Sequence, residues 1–264
     1  MVASDAAALT GVRVLVTRSR QQAGKLGAAL QQCGATVIEV PVIAFELLQG
    51  GGPLQQSREL VESVDDLVLT SENAARFFLD ADGGKTAALI KDRGTSLRVS
   101  VVGSATYDVV AEYGVQPSLV PSSFDGDALA DALIEAGVAG RRLLLPQAQN
   151  ARPALAQRLA EAGALVNAVP IYGSFVPDSA SQGLAEALEN GLDWLTFTSS
   201  DIVRYTVKAA GASLARLREV PAASIGPLTS RTLEEHGFAV RVQAQPFTIP
   251  ALVHALASAV IHEI

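Results

Sequence analysis

The chain has 264 residues, 49% of them hydrophobic and 18% charged, which is enough apolar material for two compact domains and excludes a disordered or fibrous polymer. Its 20 Lys and Arg against 27 Asp and Glu leave a net charge of -7, which argues against broad binding to nucleic acid or an anionic membrane, so an anionic ligand must be held locally. The single cysteine, Cys33, excludes an intrachain disulfide, the three dispersed histidines offer no metal-ligand spacing, and a reducing cytoplasm is the expected compartment.

No basic segment followed by an apolar core opens the sequence, and Asp5 argues against a transit peptide. The run VRVLVT from Val12 predicts a strand. Leu26, Ala29, Leu30 and Cys33 then share a helical face ended by Gly34, and TVIEVPVIAFE, 36–46, predicts a second extended stretch. Residues 47–57 predict a surface connection before a helix over 58–64. DLVLTSENA, 66–74, reads as a buried strand, a turn and the start of a helix, and VSVVGSATYDVVAEYGV, 99–115, repeats that sequence of elements. A helix is expected from Asp127 to Ala136. RLLLP at 142–146 predicts a strand, Gln147 to Ala162 a helix stopped by Gly163, and ALVNAVPIYGSF the next strand. DWLTFTSSD, 193–201, and AASIGPLTSRTLEEHGF, 222–238, again read as strand, turn and helix. The uncharged run 242–261 contains Gln243, Gln245, Pro246, Thr248, Pro250 and His254, which make it a poor membrane span and a better loop leading into a packed helix from Pro250 to Ile261.

These elements pair off. Gly34-Ala35 and Val40-Pro41-Val42 match Gly163-Ala164 and Val169-Pro170-Ile171. Asp66 with Thr70-Ser71 matches Asp193 with Thr198-Ser199, Gly103 and Thr106 match Gly226 and Thr229, and Ser123-Phe124-Asp125 matches Pro246-Phe247-Thr248. The chain is two copies of a roughly 125-residue α/β module, too long a period for a solenoid. Alternating strands and helices predict an α/β fold with parallel, doubly wound sheets of the flavodoxin-like kind. The extended segments around Pro41 and Pro170 are longer than one sheet strand needs, and each is able to bridge two domains.

Five strand-to-helix turns carry small hydroxyl or glycine residues: Thr17-Arg18-Ser19, Thr70-Ser71, Gly103 to Thr106, Thr198-Ser199 and Gly226 to Thr229. Any one of them reads equally as a helix cap. Together they favour a polar cleft rich in free backbone amides, where helix N-termini attract anions. No Gly-Lys-Ser/Thr follows the Gly-x-x-Thr pairs, and Gly103 lacks the further glycines of a dinucleotide fingerprint, so no nucleotide is expected. Arg18 and Arg152, at or just after strand ends, suit a carboxylate clamp as well as a solvated surface. Tyr172 suits a weak acid or hydrogen-bond donor in a cleft as well as a packed core position. The residues thus support a two-domain binder of a polar or anionic small molecule. Two classes stay open: an enzyme that works by holding its substrate's shape, and a non-enzymatic sensor or solute-binding protein.

VLVTR at 14–18, TSENA at 70–74, VVGSAT at 101–106, AVPIY at 168–172, TFTSSD at 196–201 and SIGPLTSRTLEEHGF at 224–238 fall in an order that resembles the uroporphyrinogen-III synthase family over almost the whole chain. One departure is Gln147 after Leu145-Pro146, where relatives carry Arg. The resemblance implies two flavodoxin-like domains joined by a two-stranded linker, with 1–41 plus 173–264 forming a discontinuous domain and 42–172 an inserted one. Continuous halves split near residue 140 are the alternative. It further implies a monomeric enzyme without cofactor, acting on a polycarboxylate tetrapyrrole. That enzyme would cyclise hydroxymethylbilane with loss of water and inversion of the D ring. Carried over by position, Thr70, Ser71, Thr106, Ser199 and Thr229 would line the cleft and Tyr172 would assist departure of hydroxide; Arg18, Gly103, Arg152, Thr198 and Gly226, from their places in the turns and at strand ends, are expected to bind substrate with them.

Overall fold

The computed structural model describes residues 7–80, 82–123 and 125–263, with backbone alone at 20–22, 262 and 263; Asp5 and Phe124 lie outside the described residues. The chain gathers into two units, Met1–Ala44 with Phe175–Ile264, and Phe45–Ser174. The first unit opens with β1 (Arg13–Val16), α1 (Arg20–Gln32) and β2 (Thr36–Glu39). The chain enters the second through β3 (Ala44–Leu47), then forms α2 (Gly52–Glu59), β4 (Asp66–Leu69), α3 (Glu72–Asp80), α4 (Lys85–Arg93), β5 (Arg98–Val101) and α5 (Ser104–Glu112). α6 (Gly126–Glu135), β6 (Arg142–Ala148), α7 (Ala154–Glu161) and β7 (Leu165–Phe175) complete that unit. It returns with α8 (Ser179–Glu189), β8 (Trp194–Phe197), α9 (Ser200–Ala210), α10 (Leu214–Glu219), β9 (Ala222–Ser224), α11 (Pro227–Glu235), β10 (Val240–Gln243) and α12 (Ile249–Glu263).

Each unit is built on one five-stranded sheet. The first runs β10-β9-β8-β1-β2, parallel throughout, which in chain order within the unit is the flavodoxin-like order 2-1-3-4-5. The second runs β5-β4-β6-β7-β3; its first four strands are parallel and repeat the order 2-1-3-4, and β3 takes the outer place beside β7. The strands that carry the chain in and out of this unit are therefore hydrogen-bonded neighbours. A split into continuous halves near residue 140 is excluded by the pairing of β6 with β4 and of β1 with β8, since each joins the two halves in one sheet. The sequence repeat is interleaved: β5-β4-β6-β7 corresponds to β9-β8-β1-β2, so these four strands of each sheet come two from each copy, and the fifth, β3 or β10, makes the division three to two.

β4 and β8 are buried along their whole length, as expected of central parallel strands covered by helices on both faces. The two-residue alternation decides which layer each side chain joins. Leu67 and Leu69 pack with Phe78, Val109 and Val110 on one face, while Val68, Leu143 and Leu145 pack with Leu129, Leu133 and Leu159 on the other. In the first unit Val14 and Val16 meet Leu26 and Leu30 of α1 and Leu252 and Leu256 of α12. The helix-stopping glycines predicted at Gly34 and Gly163 have φ of +90° and +88°, and a Cβ on Gly34 would lie 2.9 Å from Thr10 Oγ1.

The structure corrects several local expectations. Gln147 and Ala148 do not begin a helix but extend β6 against Pro170 and Tyr172, and α7 starts only at Ala154, behind Pro153. α2 starts at Gly52, with Pro53 in its first turn where the missing N–H costs nothing. The stretch 36–46 breaks after Glu39 and feeds two different sheets, and the run from 242, expected to open as a loop, begins with the last two residues of the strand Val240–Gln243. The repeat also shifts by one residue at its acidic end. Asp193 donates its N–H to the Arg13 carbonyl and accepts the Arg13 N–H on its carboxylate, as Asp65 does with Arg142, so Trp194, opposite Val14, occupies the position that Asp66, opposite Leu143, holds in the other sheet.

Candidate functional site

Ligands of open α/β sheets bind beyond the carboxyl ends of the strands, where the strand order reverses. In the second unit that point lies between β4 and β6, and its best-defined chemistry is a pair of hydroxyls. Ser71 follows β4 and caps α3, its Oγ accepting the N–H of Ala74 at 3.0 Å. The same Oγ lies 3.1 Å from the Tyr172 hydroxyl. Tyr172 sits just past a register shift between β6 and β7, where Gln147 pairs with Pro170 but Ala148 pairs with Tyr172. The extra residue, Ile171, forms a bulge that re-aims the strand, and the donor-less Pro170 is tolerated beside it.

The Tyr172 ring is packed edge-on to Phe45, centroids 5.9 Å apart, and tilted against Phe77 at 5.3 Å. The side chain is 5% exposed. Burial pushes its phenol above the ordinary value of 10.0, against the opposing pull of the Ser71 hydrogen bond, so it stays protonated at neutral pH. Phe45 and Phe77 escaped the sequence reading because nothing in their spacing announces a contact between a domain-entry strand and the face of α3. Thr70 is half-buried beside Ser71. Gly103 is the extended residue ahead of α5, and Thr106 is buried in its first turn. Arg152 is exposed on the connection between β6 and α7.

In the first unit the corresponding point lies between β1 and β8. Ser199 caps α9, its Oγ accepting the Ile202 N–H at 3.3 Å, with Thr198 half-buried before it. Thr17, beside the half-buried Arg18, donates weakly to the Thr196 carbonyl at 3.4 Å, and Thr196 donates to the Leu15 carbonyl at 2.7 Å. These hydroxyls fasten β8 to β1. Gly226 precedes α11, where Pro227 fills the first turn and Thr229 is buried. A Cβ on Gly226 would lie 3.2 Å from the Phe247 ring, so the absence of a side chain there lets that ring close over the turn. A directed chain of hydroxyls ends on the same edge: Ser224 Oγ is 2.6 Å from Ser230 Oγ, which is 2.7 Å from Gln243 Oε1.

Each unit therefore presents capped helix N-termini, and only the second adds a buried phenol. Two cavities of about 570 and 610 Å³ in the second unit are lined by residues outside these turns, one around Arg58 and Asp82 and the other around Lys91, Arg98 and Arg141. Among the described residues no three His, Cys, Asp or Glu side chains gather as a metal site, and no helix is long and apolar enough to cross a membrane.

The family model described as Uroporphyrinogen-III synthase HemD matches residues 24–254. A uroporphyrinogen-III synthase of Synechococcus elongatus is 32% identical over 256 residues, covering 94% of this chain and 95% of that one. Among solved structures, a uroporphyrinogen-III synthetase from Helicobacter pylori has the same fold at 13% identity, with a TM-score of 0.64 over 94% of this chain and 99% of that one. A mutant uroporphyrinogen III synthase from Thermus thermophilus does so at 21% identity, with a TM-score of 0.59 over 96% and 100% of the two chains. The chain belongs to the uroporphyrinogen-III synthase family.

Proposed function

We propose that this protein is a uroporphyrinogen-III synthase, closing linear hydroxymethylbilane to uroporphyrinogen III with loss of water and inversion of the D ring. The observation that carries the reading is similarity along nearly the full length of both chains to a synthase of that name. The chemistry suits the residues. A pyrrole nitrogen expels hydroxide by its own electron push, so the catalytic task is to select one folded conformer of a flexible chain, which is control of proximity and orientation. Backbone N–H groups at the starts of α3, α5, α9 and α11 suit the substrate's many carboxylates without a basic surface, in keeping with a net charge of -7.

Tyr172 then supports hydroxide departure. Ser71 Oγ already accepts the Ala74 N–H, so its own proton is free to point at the phenol oxygen. With Ser71 donating, the phenol proton is left for the leaving hydroxyl, and each bond in the chain polarises the next. The raised pKa makes this a weak acid, adequate where the substrate supplies most of the driving force. On this reading the protein acts in the cytoplasm as a monomer, to which its lone Cys33 and acidic charge are suited. Incubating purified protein with hydroxymethylbilane and resolving the product isomers tests the proposal. The type III isomer is expected, and exclusive formation of the spontaneous type I isomer would refute it.

A further inference from the structure

We propose that Gln243 is a substrate-positioning residue, whose side-chain amide donates to a carboxylate borne on a pyrrole ring; this rests on the function proposed above. Gln243 is the last residue of β10, at the carboxyl end of an outer strand, paired with Ser224 of β9. Its orientation is set by elimination of donors. Ser224 is fully buried, so its hydroxyl proton needs an acceptor, and the only one in reach among the described residues is Ser230 Oγ at 2.6 Å. Ser230 in turn donates to Gln243 Oε1 at 2.7 Å. With Gln243 rotated the other way, Ser230 would receive from the amide and donate to Ser224, leaving a buried hydroxyl proton unspent, an arrangement that native interiors avoid.

The consequence is a side chain held by its oxygen whose two N–H donors have no partner among the described residues and stand at an exposed position. At the turn that leads into α11, the helix that carries Ser230, Phe247 closes over Gly226 yet is 55% exposed, and Leu228 is 69% exposed. A fixed amide donor on the strand paired with β9, whose following turn is bordered by two open apolar side chains, suits a carboxylate carried on an aromatic ring better than a small inorganic anion.

Gln243→Ala and Gln243→Glu separate this role from a structural one. Glutamate keeps the oxygen that receives the Ser230 hydroxyl but replaces the free donors with negative charge. The expected result is an unchanged Tm for Gln243→Glu, a KM for hydroxymethylbilane raised about ten- to a hundredfold in Gln243→Ala, as for loss of one hydrogen bond to a charged group, and a larger rise in Gln243→Glu that shrinks as salt is added. Little change in kcat is expected in either. The fluorescence of uroporphyrin III, a stable polycarboxylate, reads binding to the same three proteins without turnover. If the parent binds uroporphyrin III but makes no type III product, the enzymatic reading fails, while weaker binding by the variants still supports the assignment of Gln243. Parent-like KM and parent-like uroporphyrin binding in Gln243→Glu would overturn the assignment, as would a loss confined to Tm.

Discussion

The same position in the two sheets is filled by Asp66 in one unit and Trp194 in the other, each at the head of a central strand and each buried. The Trp194 side chain lies in an apolar cluster with Val14, Leu30, Ala35 and Leu252, with no side-chain hydrogen bond among the described residues. Asp66 is fully buried and held by charge: Arg98 donates to one carboxylate oxygen and Arg141 to the other, at 2.5 Å. Arg98 also reaches the carbonyls of Ala136 and Gly137 past the end of α6, and Arg141 that of Asp65. One backbone slot thus accepts two chemically opposite fillings, provided that each is complete. A ring needs only neighbours of the right shape, whereas a buried carboxylate needs a donor for each oxygen and a partner for its charge.

The comparison breaks most visibly when either filling is made incomplete. Asp66→Ala should cost about 3 to 5 kcal/mol by leaving two guanidinium groups without their anion, and Trp194→Ala a similar amount through its cavity, both read from urea unfolding. The two losses should differ in their cure. Replacing Asp66, Arg98 and Arg141 together by Leu, Met and Met should regain most of the first, because a complete apolar filling removes the desolvation cost as well. A triple variant as unstable as Asp66→Ala would show that the charges do more than fill the slot.

At the opposite edges the units differ in the phenol. Tyr172→Phe keeps the ring against Phe45 and Phe77 and removes one oxygen, so stability should barely move while turnover falls roughly a hundredfold or less, the low end of general-acid assistance. The residual product should remain type III. Unchanged turnover would remove Tyr172 from the chemistry, and enzyme-made type I product would give it a part in ring inversion instead.

Smaller still is the contrast between the two caps. Ser71→Ala and Ser199→Ala should each lose about 1 kcal/mol of stability, since each removes the acceptor for one helix N–H. Ser71→Ala should also slow turnover more than Ser199→Ala, because of the two caps only Ser71 holds a phenol. Equal kinetic losses would show that the hydroxyl pair has no special place.

The smallest effect is alkaline. The Tyr172 phenol ionises above its ordinary value in the folded chain, so the unfolded chain releases that proton first, and stability should fall as pH rises above 10.0. Tyr172→Phe should flatten part of that fall in denaturant titrations across pH 9 to 11, about the range set by the ordinary tyrosine value. Tyr113, whose phenol is also raised by burial, adds to the same fall. A slope identical to that of the parent would mean that Tyr172 ionises as freely in the folded chain as in the unfolded one.

Much of the fold is legible in the sequence because its signals are local. Short apolar runs such as DLVL and LTF state a strand covered on both faces, glycines at 34, 114, 163 and 237 state left-handed helix ends, and the repeat of turns states a duplicated α/β architecture. The capped turns were legible for the same reason, since a cap is a bond between residues three apart. Where a signal depended on which strand lay alongside, the sequence ran out. Gln147 and Ala148 are good helix formers by composition, yet β7 offers them a ladder and they join it. Asp66 looks like the counterpart of Asp193 until the register shows it in the place that Trp194 holds in the other sheet. Gln243 looked like one polar residue among several in an uncharged run, and its free amide became visible only once Ser224 and Ser230 lay next to it. Periodicity and caps are written within a turn or two of chain, but strand register, and with it which polar groups are left unspent at an edge, is decided by residues up to 181 apart pairing in the folded sheet.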